Sequence, residues 1–278
     1  MDFANQLATT PPQDLGFLKL SYPSERVVLV TMNRPRDLNC INKAASEEMD
    51  VVFKWLDDEP NLSVAILTGA GRAFCAGADL KEWNASMAPG SDPKKRVAAG
   101  GAKPFSRRLG KKPVIGAING LAMGGGMEFT ANCDVVVASE KAVFCLPEVK
   151  RGVSPFAGVL PRLIRTVGLQ RASEFALTGR TMDAQEALLW GFVNKVVGPE
   201  QLIPEALRYA SLIAENSPDS IICTRNGLRQ GWESGSVERA TDITLERDFS
   251  ELLKGENIKE GLRAFVEKRK PQWRPSRL

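Results

Sequence analysis

Short runs of apolar, largely β-branched residues that each end in a turn limit the possible folds of this chain most strongly. Runs of this kind are typical of strands that are buried on both faces. A segment at 42–57 repeats apolar side chains at helical spacing, so strands alternate with helices. We therefore predict an α/β fold. The predicted strands are 26–32, 64–68, 114–118, 134–139 and 142–146.

The pattern divides the 278 residues into three parts. Residues 1–15 are polar and contain prolines, which predicts a loose N-terminal arm. Residues 16–200 carry the strands and predict the α/β core with the ligand site, including a glycine-rich and basic flap between Trp83 and Lys112. Residues 201–278 are almost entirely helical in pattern, and their apolar stripes are typical of core or subunit contacts.

The absence of histidine excludes several kinds of catalytic site. Neither a Ser-His-Asp triad nor a His-ligated zinc ion is possible, so acid–base chemistry at neutral pH needs carboxylates, lysine, tyrosine or cysteine. The five cysteines form no CxxC pair, which argues against a redox dithiol or a zinc knuckle. A net charge of +4 suits an anionic ligand without requiring nucleic acid.

No segment has the composition of a signal peptide or a membrane-spanning helix, so we expect an intracellular protein without membrane contact. The final tripeptide, Ser276-Arg277-Leu278, is a conservative variant of the Ser-Lys-Leu peroxisomal address. It predicts peroxisomal localisation and binding to the peroxisomal import receptor.

Two turns rich in small residues, 74–79 and 119–128, are the strongest candidates for a functional site. Gly69-Ala70-Gly71, just before the first turn, is not a dinucleotide loop, because Phe74 stands in place of the third glycine of GxGxxG. Gly124-Gly125-Gly126 is not a phosphate loop, because no Gly-Lys-Ser/Thr follows it. Small residues let backbone N–H groups approach a ligand closely. One N–H from each turn could polarise a carbonyl oxygen, and Glu128 follows the glycines directly.

These turns belong to a longer set of motifs that resembles the crotonase (enoyl-CoA hydratase/isomerase) superfamily. The resemblance covers roughly residues 15–271. It implies a spiral of ββα units, a helical C-terminal region for trimerisation and an acyl-CoA thioester substrate. The motifs are NRP…LN at 33–39, AFCAGADLKE at 73–82, KPVIGAINGLAMGGGMEF at 112–129 and LPEVKRGVSP at 146–155.

The resemblance also implies roles for individual residues. The oxyanion-hole donors would be the N–H groups of Ala76 and Gly125. Glu128 and Glu148 would be the catalytic pair, Glu128 chiefly activating water and Glu148 chiefly transferring a proton at C2. No metal and no separate cofactor is expected, since coenzyme A is part of the substrate. The implied substrate-binding residues are Arg36, Leu38, Gly77, Ala78, Asp79, Leu80, Leu121, Gly124, Pro147 and Phe156.

The chain departs from the hydratase pattern after Gly152. The bulky Phe156 stands where smaller residues are frequent near the acyl pocket, and it could line the pocket or belong to the core. Arg36 on one subunit, with Lys268 and Arg269 from a neighbouring subunit, could bind the phosphates of coenzyme A, although each could equally be a solvated surface charge.

Possession of both glutamates favours a 2-enoyl-CoA hydratase that acts in fatty-acid β-oxidation or a specialised acyl-CoA pathway as a homotrimer or dimer of trimers. Another crotonase reaction, enoyl isomerisation or decarboxylation, is the alternative. An RNA-binding homologue is a third possibility, because basic residues cluster at 94–96, 107–108 and 111–112. Aromatic side chains for base stacking are sparse there.

Overall fold

The computed structural model describes residues 3–90 and 103–278. Its strands, in chain order, are β1 (Leu18–Ser24), β2 (Val27–Met32), β3 (Val64–Gly69), β4 (Ala73–Cys75), β5 (Val114–Ile118), β6 (Leu121–Met123), β7 (Val135–Ser139), β8 (Val143–Cys145), β9 (Thr181–Asp183) and β10 (Lys195–Val197).

The α-helices of the same ranges are α1 (Lys43–Asp58), α2 (Leu80–Ser86), α3 (Lys103–Ser106), α4 (Gly125–Asn132), α5 (Val159–Val167), α6 (Leu169–Thr178), α7 (Ala184–Leu189), α8 (Leu202–Ala214), α9 (Pro218–Glu233), α10 (Val237–Ile243), α11 (Ser250–Lys254) and α12 (Glu256–Val266). A π-helical turn, Thr244–Phe249, joins α10 to α11.

The described strands form two sheets. The larger has the order β1-β2-β3-β5-β7-β10, and its pairs are parallel except for the β1–β2 hairpin. The smaller has the order β4-β6-β8-β9, in which β4, β6 and β8 are parallel and β9 is antiparallel. The strands predicted at 64–68, 114–118, 134–139 and 142–146 are confirmed within one residue at each end, and the predicted α/β class is confirmed.

A strand of the large sheet, a short strand of the small sheet and then a helical segment make a unit that recurs along the chain. The sequences β3-β4-α2 and β5-β6-α4 are two such units, and in the third, β7 and β8 lead through a 3-10 turn (Pro147–Arg151) to α5. The spiral of ββα units that the resemblance implied is therefore present. Each unit ends its short strand at the same edge of the small sheet, because β4, β6 and β8 are parallel neighbours.

The predicted helix at 42–57 corresponds to α1, which is offset by one residue at each end. Its start is fixed by Asn42, whose side chain accepts a hydrogen bond from the N–H of Ala45. Its apolar stripe, which includes Met49 and Phe53, is buried against the sheet strands in the main core.

The C-terminal region begins with α8, which covers the other face of the large sheet. Its apolar stripe, which includes Leu202, Ala206 and Ala210, packs against Val64 and Ile115 of the sheet. Helix α9 is anchored by Arg225, whose side chain pairs with Asp134 at 3.0 Å immediately before β7. In α12, by contrast, Phe265 and Val266 are 84% and 79% exposed, so that stripe is left uncovered in the single chain.

The N-terminal arm that was predicted to be loose instead makes specific contacts. The N–H groups of Ala8 and Thr9 donate to the carboxylate of Glu59 at 3.0 and 2.7 Å. The indole of Trp55 donates to the Thr9 hydroxyl at 2.8 Å. The sequence pattern missed these contacts because they join residues about 50 positions apart.

Helix α4 lies so close to β4 that only glycine fits at one position. A Cβ added to Gly126 would stand 2.1 Å from the carbonyl oxygen of Cys75. The carbonyl oxygen is backbone and a Cβ is fixed rigidly to its Cα, so neither atom can move without separating the helix from the strand.

We therefore expect Gly126→Ala to destabilise the protein. The gain of about 0.5–1 kcal/mol from replacing a helical glycine is outweighed by overpacking, which costs about 1–3 kcal/mol. The matched control is Gly231→Ala in α9, where an added Cβ meets no atom within 4 Å. Thermal unfolding should show a lower Tm for the first variant and an equal or higher Tm for the second; equal Tm values would contradict the packing argument.

Candidate active site

A cavity of about 220 Å³ opens where β4, β6 and β8 end. Each strand delivers one segment to its wall: the turn after Cys75, the turn around Gly124, and the 3-10 turn that starts at Pro147. The lining residues are Ala76, Gly77, Ala78, Leu80, Trp83, Met123, Gly124, Gly125, Glu128, Pro147, Glu148, Arg151, Val153, Ser154, Pro155, Phe156 and Ala157.

The backbone hydrogen bonds correct one of the two predicted oxyanion donors. Ala76 lines the cavity, but its N–H already donates to the carbonyl oxygen of Leu38 at 2.9 Å. The N–H of Ala78 has no partner among the described residues, because the parallel bridge to Ile41 uses the carbonyl of Gly77 and the N–H of Asp79 instead. The prediction of Ala76 was therefore wrong, and Ala78 supplies the free donor in this turn.

The second predicted donor, Gly125, is the first residue of α4. Its N–H has no carbonyl one turn earlier to bind, and no other described group accepts from it. The two turns touch each other here. A Cβ on Gly77, which has a φ of +92°, would stand 3.0 Å from the nitrogen of Gly125. Glycine at 77 thus permits both the left-handed conformation and the close approach of the two donor turns.

Glu128 lies one turn into α4 and is almost fully buried, with 3% of its surface exposed. The N–H of Ala157 donates to its Oε1 at 2.9 Å, while its Oε2 has no hydrogen-bond partner among the described residues. Burial, with the nearby charge of Glu148, raises the pKa of Glu128 to about 7, against the opposing effect of the Ala157 N–H.

Glu148 reaches the cavity from the 3-10 turn Pro147–Arg151. Its side chain approaches the donor turns closely, since a Cβ on Gly124 would stand 3.0 Å from Glu148 Oε1. Burial raises the pKa of this carboxyl too. Glu148 is therefore a residue of the cavity and not an ordinary surface acid.

The arrangement can hold a carbonyl oxygen and a reacting water at once. The N–H groups of Ala78 and Gly125 can stabilise negative charge on a carbonyl oxygen. Two carboxyls with raised pKa values stand on the cavity wall beside them and can exchange protons with a bound water. Because the two carboxyls interact, they titrate as a pair.

Six of the ten predicted substrate-binding residues line the cavity: Gly77, Ala78, Leu80, Gly124, Pro147 and Phe156. The other four do not. Arg36 is exposed on a short 3-10 turn. Leu38 holds the Ala76 N–H through its carbonyl. Asp79 caps α2 and pairs with Arg34. Leu121 lies within β6 between Ala73 and Val143.

Phe156 is 46% exposed, so its side chain belongs to the cavity wall and not to the core. Its ring meets the Trp83 indole edge to face, with centroids 6.5 Å apart, and the two form one apolar wall. Two polar side chains besides the glutamates, Arg151 and Ser154, also reach the cavity. Neither residue was predicted from sequence, because no residue spacing distinguishes it.

The basic clusters that kept RNA binding open are partly used in the fold. Arg108 is 8% exposed and pairs with Asp57. Lys112 is 3% exposed, and its ammonium donates to the carbonyl oxygens of Leu56 and Glu59. Burial lowers the pKa of Lys112 to about 8. The cluster at 94–96 lies outside the described residues.

The C-terminal cations predicted to approach coenzyme A differ in their surroundings. Arg269 is held by Glu260 and Glu267, each at 2.6 Å, whereas Lys268 is exposed and has a φ of +53°.

None of the helices in the described ranges combines the length and low polarity needed to span a bilayer.

Comparison with known proteins agrees with this geometry. Residues 23–276 match the family described as enoyl-CoA hydratase/isomerase. A mevalonyl-coenzyme A hydratase of Aspergillus fumigatus is 51% identical over 93% of this chain and 95% of its own length. A mevalonyl-coenzyme A hydratase of Beauveria bassiana is 48% identical over 97% and 99%.

The fold is also that of a solved enzyme. The crystal structure of an enoyl-CoA hydratase from Bacillus anthracis superposes with a TM-score of 0.84 at 33% identity, over 94% of this chain and all of the other. The motifs, the ββα spiral, the paired glutamates and these matches agree, and the chain belongs to the enoyl-CoA hydratase/isomerase family.

Proposed function

We propose that this protein is an acyl-CoA hydratase that adds water reversibly across the C2–C3 double bond of a 2-enoyl-CoA thioester. The observation that carries the proposal is the pair Glu128 and Glu148 in one cavity with the free N–H groups of Ala78 and Gly125. Oxyanion donors alone would serve many acyl-CoA reactions. The second carboxyl favours hydration over isomerisation, because hydration moves one proton from water and another to C2.

Each proton transfer and the stabilisation of the enolate can be assigned to one of these groups. A carboxylate accepts a proton from water as the water oxygen bonds to C3, and the C2–C3 π electrons move to give an enolate. The negative charge on the thioester oxygen is stabilised by the N–H groups of Ala78 and Gly125. The other carboxyl gives its proton to C2. The pair gains one proton and loses one, so it works with one proton in total, and the rate should fall at low pH, where both carboxyls are protonated, and at high pH, where both are ionised.

For the substrate, we propose mevalonyl-CoA and its dehydration product, the 5-hydroxy-3-methyl-2-pentenoyl thioester. Support comes from the names of the two relatives that are 51% and 48% identical. The cavity is compatible with a short, branched and hydroxylated acyl group. Trp83 and Phe156 offer an apolar wall for the methyl branch, while Arg151 and Ser154 offer hydrogen-bonding partners for the terminal hydroxyl.

We also propose a homo-oligomer. The exposed apolar side chains of the C-terminal helices support it, since patches of this kind mark interaction surfaces. Among them, Leu228, Val237 and Phe265 are 70%, 79% and 84% exposed. That the enzyme needs no metal or separate cofactor stays a prediction from the family resemblance.

The purified protein should hydrate 5-hydroxy-3-methyl-2-pentenoyl-CoA. Its kcat/KM should exceed that for 3-methyl-2-pentenoyl-CoA by roughly tenfold, the effect of one hydrogen bond to the terminal hydroxyl. Loss of the conjugated enoyl absorbance and the product mass measure the reaction. If only unhydroxylated thioesters react, the substrate proposal is wrong while the hydratase stands; if no enoyl thioester reacts, the hydratase proposal is wrong.

Substituting either glutamate should impair turnover and spare binding. Glu128→Gln and Glu148→Gln each remove a proton-exchanging group of equal size, so each should lower kcat by about 10²–10⁴-fold. Exposed Glu140 provides the matched control, Glu140→Gln, which should behave like the unmodified protein. Acyl-CoA dissociation constants should change little, and the double variant should lose much less than the product of the two single losses.

A multiplicative loss in the double variant would show that the two carboxyls act in separate steps. A kcat near that of the unmodified protein for Glu148→Gln would contradict the two-carboxyl mechanism and favour another reaction of the family.

We propose peroxisomal localisation on the basis of Ser276-Arg277-Leu278. These residues contact the folded chain, because the Ser276 hydroxyl donates to Asp219 at 2.5 Å and Lys111 donates to the carbonyl oxygen of Leu278 at 3.1 Å. Receptor binding would therefore require the tripeptide to leave these partners.

Deletion of the tripeptide should move an N-terminally tagged protein from peroxisomes to the cytosol and leave hydratase activity intact. Fluorescence microscopy beside a peroxisomal marker measures the location, and the same assay of the purified variant provides the control. A cytosolic signal from the full-length chain would contradict the targeting proposal.

A further inference from the structure

Ser106 is a buried hydroxyl that the mechanism above does not use. It ends α3, has no measurable exposure, and its Oγ satisfies no hydrogen-bond geometry among the described residues. Burying a hydroxyl without a hydrogen-bond partner costs folding free energy, so a buried hydroxyl of this kind is expected to bind a nearby polar group. Glu128 Oε2 is likewise buried without such a partner.

The packing of α3 against α4 brings these two groups together. Phe105 and Phe129, the neighbours of Ser106 and Glu128 in the chain, meet edge to face with centroids 5.2 Å apart. The Asn132 side chain, one turn after Glu128, donates to the carbonyl oxygen of Phe105 at 2.6 Å. From the other side, Arg162 donates to the carbonyl oxygen of Ser106 at 2.7 Å. The backbone around Ser106 is therefore held on both sides.

We propose that Ser106 is a positioning residue whose hydroxyl donates to the Glu128 carboxylate and holds it in place for the proposed hydration. With the Ala157 N–H on Oε1, this gives Glu128 a donor for each of its oxygens. The carboxylate then keeps one orientation toward the cavity. The catalytic consequence of this hydrogen bond rests on the proposed function, whereas the hydrogen bond between Ser106 and Glu128 does not.

The groups around Glu128 determine its pKa and therefore the effect expected of the Ser106 hydroxyl. Glu148 faces it from the 3-10 turn and raises its pKa, whereas Arg162 of α5 lowers it. The Ala157 N–H lowers it as well, and a hydrogen bond from the Ser106 hydroxyl would act in the same direction. Because a hydroxyl that donates to the charged form favours that form, loss of Ser106 removes one of three groups that keep Glu128 ionised against burial.

The first test is independent of activity. The protonated carboxyl of Glu128 is followed through a pH titration by infrared spectroscopy, with the Glu128→Gln spectrum subtracted. Ser106→Ala should raise the titration midpoint by about 1 pH unit, the effect of one hydrogen bond to a charged group. Ser106→Thr keeps the hydroxyl and should restore the original midpoint.

The matched control is Ser63→Ala. Ser63 is 3% exposed, its hydroxyl also lacks a described partner, and it precedes β3, away from the residues that line the cavity. This variant should leave the Glu128 midpoint unchanged. An unchanged midpoint in folded Ser106→Ala would overturn the proposal, as would an equal shift in both alanine variants.

The second test uses the hydration rate. In Ser106→Ala, the acidic limb of the pH profile of kcat/KM should move upward by the same amount, while the KM at pH 8 stays the same. A rate loss that is equal at every pH would overturn the positioning role. If the unmodified protein hydrates no enoyl thioester, the proposed function fails, and the infrared titration still decides whether Ser106 acts on Glu128.

Discussion

The parallel pairing of three very short strands is the constraint on which the site depends. β4, β6 and β8 have three residues each, and they hold register through only a few backbone pairs. Their ends deliver Ala78, Gly125 and Glu148 to one cavity. A shift of one residue in any strand would turn the following segment away from the other two. The large sheet and the glycine contact between α4 and β4 secure this register, because they fix where each short strand starts and how closely its helix packs.

Most of the larger elements could be predicted from sequence, since their patterns are local. The strands 64–68 and 114–118 and the helix at 42–57 have runs or stripes long enough to show a period. By contrast, β4, β6, β9 and β10 have three residues each, too few to show one. The glycines and Glu128 were identified because they cluster in two turns, and Glu148 was identified because it lies in a family motif.

What sequence could not supply was the partner of each backbone group. The choice between Ala76 and Ala78 depends on the segment 38–41, which is more than 30 residues away and takes the Ala76 N–H through Leu38. The Ala157 N–H comes to Glu128 from the loop before α5, and the proposed Ser106 contact comes from α3. Neither residue type carries a motif for such a role. Long-range contacts of this kind appear only once the ββα units have packed.

The division of labour between main chain and side chain affects how the site responds to mutation. Both proposed oxyanion donors are peptide N–H groups, so every residue except proline retains the donor itself at positions 78 and 125. The proposed proton chemistry, in contrast, resides in two side chains that a single codon change can replace. Substitutions at positions 128 and 148 can therefore abolish or change the reaction. The two N–H groups that polarise the thioester carbonyl would be retained, so new reactions on the same class of substrate can evolve in this fold.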